Sequence, residues 1–356
     1  MSLETSSLAQ LYLSRLREFY RQPARIFWVY GFPTILAICL GMAFRNRLPD
    51  PVSVVVMDVP EASAVTAALD DSVSRTGTTT RPGVSYLLLP REEADRRLRT
   101  GRAVLVIEPR SDSELVYHLD PTRPEALAAR FAVDDALQRH RGRKDPVVTT
   151  VDPVTEHGAR YIDFLIPGLL AMNTMGGGLW GIGFLIVNFR IMKLLKRFVA
   201  TPMPRHNFLL AVLGARLTFL LPDVSILLGM GVLLFQMPIR GNLLLVALLE
   251  VVGALAFAGL GLLVAARSQS TEAVSGLINL INLPMTLLCG VLFPYERFPE
   301  AIHGFIRALP LTQLVDALRK VLLEGAGLAE VSGSLAILAA WAVGTFLIAL
   351  RAFRWT

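Results

Sequence analysis

Residues 26–44, IFWVYGFPTILAICLGMAF, form nineteen consecutive positions without a charge. A membrane-crossing helix needs about 20 mainly apolar residues, and this stretch is of that length. Five further apolar stretches follow, at about 161–187, 208–235, 242–266, 271–293 and 331–351, after a polar interval of more than a hundred residues. The composition agrees: 53% of the 356 residues are hydrophobic, 18% are charged, and the mean hydropathy is +0.51. A soluble fold would struggle to cover that much apolar surface. The expected fold is a polytopic α-helical membrane protein with six transmembrane helices and a small α/β domain between the first and second.

The first stretch is preceded by Arg15, Arg17, Arg21 and Arg25. A secretory signal also has a basic start and an apolar core. The long lead-in, the long core and the following Arg45-Asn46-Arg47, with no small-x-small site, favour an uncleaved span. Residues 1–25 place Leu8, Leu11, Leu16, Phe19 and Tyr20 among the arginines, which reads as an amphipathic helix at the membrane interface. Cys39 and Cys289 both lie in apolar windows and make neither a disulfide framework nor a metal-binding spacing.

Residues 45–160 hold 17 basic and 18 acidic side chains, a net charge of −1. Val52–Asp58 reads as a strand, 61–73 as a helix, Glu92–Leu98 as a second helix stopped by Gly101, and Ala103–Ile107 as a strand stopped by Pro109. Leu115–Leu119 follows as another strand, and 124–140 as a helix opened by proline. Arg141–Pro146 reads as a solvated loop. Between 294 and 330, Pro294, Pro299 and Pro310 interrupt the apolar pattern. Two short helices, Ile302–Leu309 and Leu314–Leu323, are expected to dip into or lie along the interface.

Charge placement orients the chain. The 188–207 loop carries Arg190, Lys193, Lys196, Arg197 and Arg205 and no acid, whereas 294–330 carries four basic and five acidic groups. Positive charge is retained on the cytoplasmic side. Both termini, with Arg351 and Arg354 near the C-terminal one, and the 188–207 loop are therefore expected inside. The 45–160 domain, the 236–241 turn and the 294–330 hairpin are expected outside the cell membrane. The +6 total thus belongs to the lipid bilayer rather than to nucleic acid.

The stretch Met192-Lys193-Leu194-Leu195-Lys196-Arg197-Phe198-Val199-Ala200-Thr201-Pro202-Met203-Pro204-Arg205 resembles the K-R-L-x-A-T-P-x-x-R segment of ABC-2-type transporter permeases. Leu309-Pro310-Leu311-Thr312, followed by Val315-Asp316-Ala317-Leu318-Arg319, is similar to a second segment of that family, and the order of elements is similar throughout. The resemblance implies a permease subunit of an ABC exporter, paired with a second copy or a related permease and with two ATP-binding subunits. It also implies that the basic loop is a coupling helix seated on those subunits through Lys193, Leu194, Lys196, Arg197, Phe198 and Arg205. ATP and Mg would be bound by the partner alone. The residues themselves say less: Lys193, Lys196 and Arg197 lie three to four apart and share a side of a short helix, which also suits ordinary contact with lipid headgroups.

No G-x-x-x-x-G-K-[ST] run and no H-E-x-x-H run occurs, so neither a phosphate-cradling loop nor a zinc-protease helix is expected, and the chain does not read as an enzyme. The five histidines are scattered. Gly176-Gly177-Gly178, with Gly181, reads as a close-packing surface. Asp163 is expected at the outer surface. Arg216, Asp223 and Glu250 fall within apolar segments, where a charge must pair or face a wet path. Pro222 is expected to open its helix, and Pro284 to kink the fifth long segment. Asn279 and Asn282 share a face of that segment. These five polar residues are read as conduit-lining or interface residues, with structural pairing as the alternative. A secondary transporter or channel, and a sensor acting through residues 45–160, remain as other classes. The substrate is read as amphipathic or lipid-like.

Overall fold

The computed structural model describes residues 7–43, 52–74, 84–111, 114–143, 160–200, 204–291 and 298–353. Arg45–Arg47, Lys144–Pro146, Thr201–Met203, Pro294, Glu296, Arg297 and Arg354, all used above, lie outside the described residues. The chain forms two units, one of residues 1–45 with 155–356 and one of residues 46–154.

The smaller unit is α/β. Its elements are β1 (Val52–Met57), α4 (Ala62–Ser74), β2 (Val84–Leu89), α5 (Arg91–Arg99), β3 (Leu105–Pro109), β4 (Leu115–Leu119) and α6 (Pro124–His140). The sheet order is β2-β1-β3-β4; β1 is parallel to both neighbours, and β4 is antiparallel to β3. Alternation puts Val54, Val56, Leu105 and Ile107 under α4 and α6, and Val55, Met57 and Val106 under α5. Three of the four strands match the sequence reading. The fourth, β2, was missed although Val84–Leu89 is bounded by Pro82-Gly83 and Pro90. The strand β3 also runs two residues later than expected. Pro109 lies inside it, because a proline is tolerated at a strand end where the ladder stops. On this sheet His118 Nε2 meets Glu108 Oε2 at 2.8 Å, with Arg91 at 3.5 Å. That histidine hydrogen bond, with Arg91 nearby, holds the Glu108 carboxyl below its usual range.

The larger unit is helical. Its first elements are α1 (Ser7–Tyr20), α2 (Pro23–Ile26) and α3 (Phe32–Ala43), with a π turn, Phe27–Gly31, joining the last two. There follow α7 (Tyr161–Ile191), α8 (Leu194–Val199), α9 (Arg205–Phe235), α10 (Leu243–Ala265), α11 (Thr271–Leu288), α12 (Glu300–Ala308), α13 (Pro310–Arg319) and α14 (Leu328–Ala352). Five helices are long and apolar enough to cross a bilayer: Pro23–Ala43, Ile162–Ile191, His206–Phe235, Leu243–Ala265 and Leu328–Ala352. The sixth expected span is the 18-residue α11, which ends before Gly290, a residue at φ +77°. At about 1.5 Å per residue it reaches roughly 27 Å, slightly under the hydrocarbon thickness of about 30 Å. It also carries Glu272, Asn279 and Asn282, which lower its apolarity.

The centre of the bundle is α10, packed against α7 on one side and α14 on the other. Small residues allow the α7–α10 approach. A Cβ added at Gly178 would meet Phe257 and the Ala258 backbone, and one added at Gly261 would meet the Gly178 carbonyl. Gly181, expected in the same role, faces open space. The interfacial helix α1 lies along α9: Phe19 stacks on Phe219 at 4.1 Å, and the Tyr12 and Thr218 hydroxyls meet at 2.7 Å. Of the two short helices before the last span, α12 keeps Ile302 and Phe305 exposed. By contrast, α13 is buried against α7, α10 and α14. Arg319 at its end donates to the Gly290 carbonyl at 3.2 Å and lies over the Phe164 ring at 4.3 Å.

Candidate functional site

Two sets of polar residues in the helical unit bear on function. The first is at the turn from α7 to α9. The expected 188–207 loop is shorter than drawn, because residues 188–191 complete α7 and 205–207 open α9. Between them, Lys193 takes a left-handed conformation at φ +56°, which ends α7 and starts α8 at an angle. Lys193, Lys196 and Arg197 are exposed. Leu195 is fully buried, and Leu194 is half-buried against the core. Phe198 packs inward, 6.0 Å from Phe189 and 5.5 Å from Phe208, so it ties α8 to both neighbouring spans. Arg205 is the first residue of α9.

Two arginines beside this turn are already engaged. Arg15 of α1 lies over the Phe189 ring at 4.2 Å and pairs with Glu18 at 2.7 Å. Arg190 donates to the carbonyls of Ala265 (2.7 Å), Ala266 (3.0 Å) and Ser268. These are carbonyls that the end of α10 leaves without intrahelical partners, and a cation there is also favoured by the helix dipole. Arg190 is therefore a C-terminal cap for α10 rather than a free charge of the loop. The sequence offered no signal for this, since its partners lie some 75 residues away.

The second set lies midway along the spans. Arg216 and Asp223 share α9 as expected, and Glu250 faces them from α10. All three are buried, at 7%, 2% and 0% exposure. Pro222 does not break α9, which runs unbroken from Arg205 to Phe235. The residues that complete this cluster were not legible beforehand. Thr174 donates to Glu250 Oε2 at 2.5 Å, and Arg216 donates to the Thr174 carbonyl at 3.3 Å. Asn173 donates both to Asp223 and, at 3.1 Å, to the carbonyl of Val29. That carbonyl is free because Pro33, four residues on, has no N–H to offer it. Tyr30 donates to the Phe219 carbonyl at 3.1 Å. Gly177 is essential to the arrangement: a Cβ there would coincide with the Arg216 guanidinium.

Asn279 and Asn282 are elsewhere, exposed and half-buried on α11. Asp163 lies in the first turn of α7, at the end of the span where it was expected, and is buried there with Arg160 gripping it through two bonds of 3.0 Å. Among the described residues, no group of three or more His, Cys, Asp and Glu side chains converges as a metal site.

The sequence has relatives. The chain is 29% identical over 215 residues to ABC transporter G family member 20 of Dictyostelium discoideum, covering 58% of this chain and 29% of that protein. It is 24% identical over 175 residues to the probable multidrug ABC transporter permease YbhR of Escherichia coli, covering 49% and 48% respectively. It is 33% identical over 100 residues to nodulation protein J of Rhizobium meliloti, covering 28% and 38%. The chain thus spans about half or less of the length of these relatives. Residues 24–351, nearly the whole chain, match the family described as ABC-2 family transporter protein, and the chain belongs to that family of membrane-embedded ABC-transporter permeases.

Proposed function

We propose that the chain is the membrane-spanning permease subunit of an exporter driven by a separate ATP-binding subunit. The observation that carries this reading is the form of α8: Lys196 and Arg197 stand exposed on a six-residue helix pinned by Leu195 and Phe198, with the exposed Lys193 at the bend that starts it. A short charged projection on stiff backbone is suited to receive force from a moving partner. Leu194 and Phe198 then serve the coupling by anchoring α8, and Arg205 by opening the span that carries the motion onward. Arg190 extends the path, because it fastens the end of α7 to the end of α10.

In this reading α11 is the sixth span, the termini and α8 face the cytoplasm, and residues 45–160 face outward. Two permease copies, or this chain and a related one, enclose the path and work with two ATP-binding subunits. The abundance of apolar surface around the buried Arg216–Asp223–Glu250 cluster supports an amphipathic or lipid-like cargo. The relative named as a probable multidrug ABC transporter permease supports transport without choosing a cargo.

The test is to purify the chain with its ATP-binding subunit in lipid and compare the wild type with Lys196→Glu/Arg197→Glu. Lower complex formation or lower stimulated ATPase is expected; wild-type behaviour in both assays sinks the coupling role. Failure of any ATP-binding subunit to co-purify would favour a secondary transporter, a channel or a sensor instead. For orientation, a cysteine at Arg99, which is exposed, should be labelled by an impermeant reagent from outside the cell. Labelling only from the cytoplasm overturns the topology.

A further inference from the structure

The cluster midway along α9 and α7 is unequally matched in charge. Arg216 brings one positive group, while Asp223 and Glu250 bring two carboxyl groups, all inside the bundle. The two carboxyl groups lie within electrostatic reach of one another and of the guanidinium. The remaining polar neighbours are uncharged and already committed. The Tyr30 hydroxyl serves the Phe219 carbonyl, the Asn173 amide is divided between Asp223 and the Val29 carbonyl, and the Thr174 hydroxyl serves Glu250 Oε2. Other arginines of this unit do not supply the missing charge: Arg190 caps α10, and Arg319 is held on the Gly290 and Phe164 carbonyls.

What is left over points to a ligand. Among the described residues, Asp223 Oδ2 and Glu250 Oε1 have no hydrogen-bond partner, one orphan oxygen on each carboxyl group. Arg216 Nε is also unpartnered. A buried water can answer unmade hydrogen bonds, but it cannot answer a surplus negative charge. A single positive charge answers the surplus and the two orphan oxygens together, and leaves only the Arg216 Nε donor to a water. An uncompensated carboxylate at the centre of a bundle is otherwise among the costliest arrangements a membrane protein can hold.

We propose that Asp223 and Glu250 form a site for one exchangeable monovalent cation, H⁺ or Na⁺, taken up between α9 and α10. Occupied, the cluster is neutral and the bundle closes over it. Emptied, it carries a net negative charge that favours separation of α9 from α10 and entry of water. The site thereby links cation uptake to closure of the bundle, a property beyond the ATP-driven reading above and independent of which partner supplies the ATPase.

The experiment measures thermal unfolding of the full chain in nanodiscs. One series varies sodium against choline at constant pH, and the other varies pH without sodium. A ligand that binds only the folded state stabilises it by mass action, so stability must rise with cation activity, and for protons must fall as pH rises. For sodium above its dissociation constant, each tenfold increase multiplies the folding constant about tenfold; for protons that slope holds only above the ordinary carboxyl range of about pH 4, below which the unfolded chain's carboxyl groups bind protons too. A sodium-dependent rise that choline does not reproduce identifies Na⁺. A sodium-independent loss toward alkaline pH identifies H⁺. In either case Glu250→Gln, which neutralises the cluster permanently, should abolish the dependence and be at least as stable as the wild type at the lowest cation activity. If that variant does not fold, Asp223→Asn gives the same comparison, and infrared difference spectra seek a protonated-carboxyl band in the wild type. The proposal is overturned if the wild type responds to neither cation, or if both variants keep the wild-type response.

Discussion

Lys193 at the start of α8, Lys196 and Arg197 within it, and Arg216 on α9 are cations of the same helical unit, placed under opposite conditions. The α8 charges stand in the open, on a helix whose apolar residues do the anchoring. Arg216 is sealed between α7, α9 and α10, where a glycine clears its path and two carboxyl groups oppose it. The difference teaches where a charge can act. An exposed cation contributes little to stability and is free to meet a partner. A buried one is tied to everything around it and registers any shift of the helices that enclose it.

The most severe way to break this comparison is Arg216→Ala. It leaves Asp223 and Glu250 buried without their opposing charge, and a loss of about 3–5 kcal/mol is expected in unfolding experiments in lipid or detergent. A cost below 1 kcal/mol would mean that the carboxyl groups are already neutralised by other means, which would strengthen the cation site. Arg190→Ala comes next. It removes three charge-assisted bonds to the end of α10, each worth about 1.5–3 kcal/mol at most, with water replacing part of the loss at this half-exposed place. The variant should still bind its ATP-binding subunit while losing stimulated ATPase; retention of full stimulation would remove Arg190 from the transmission path.

Gly177→Ala should cost about 1–2 kcal/mol. Overpacking against the guanidinium costs roughly 1–3 kcal/mol, and alanine recovers up to about 1 kcal/mol in helix propensity. A stabilised variant would show that Arg216 moves aside freely. Smallest in stability is Lys196→Glu/Arg197→Glu, expected within about 0.5 kcal/mol of the wild type because both side chains are exposed. That near-neutrality is what makes its effect on complex formation interpretable.

Much of the architecture was legible in the residues. Long uncharged stretches announce spans because hydrocarbon tolerates little else, and five of the six met that standard in three dimensions. The short apolar runs of Val52–Met57 and Leu115–Leu119, each ended by a turn signal, announced strands for the same kind of local reason. The strand β2, as long as β1, was missed; what identifies Val84–Leu89 is its parallel pairing along the whole of β1. At the two polar sites the legible part was the charge itself. Arg216, Asp223 and Glu250 were conspicuous as charges in apolar surroundings. Thr174, Asn173, Tyr30 and Gly177 were not, since an isolated hydroxyl, amide or glycine in a long apolar helix has no periodic signal. The same holds for Arg190, which reads as one more positive-inside charge until its carbonyl partners are seen.

By itself the sequence determined which stretches enter a bilayer, where the α/β region is inserted, and which segment presents a compact run of cations. These depend on local composition and on periods of two or 3.6 residues, and local physics decides them. Only the tertiary structure decided which charges are spent and which are available. Arg190 and Arg216 are committed by groups 40 to 80 residues away in the chain, Lys196 and Arg197 are left exposed, and two carboxylate oxygens are left unanswered. Burial and pairing belong to the packed helices together, because desolvation depends on what surrounds a group in space and not on its neighbours along the chain.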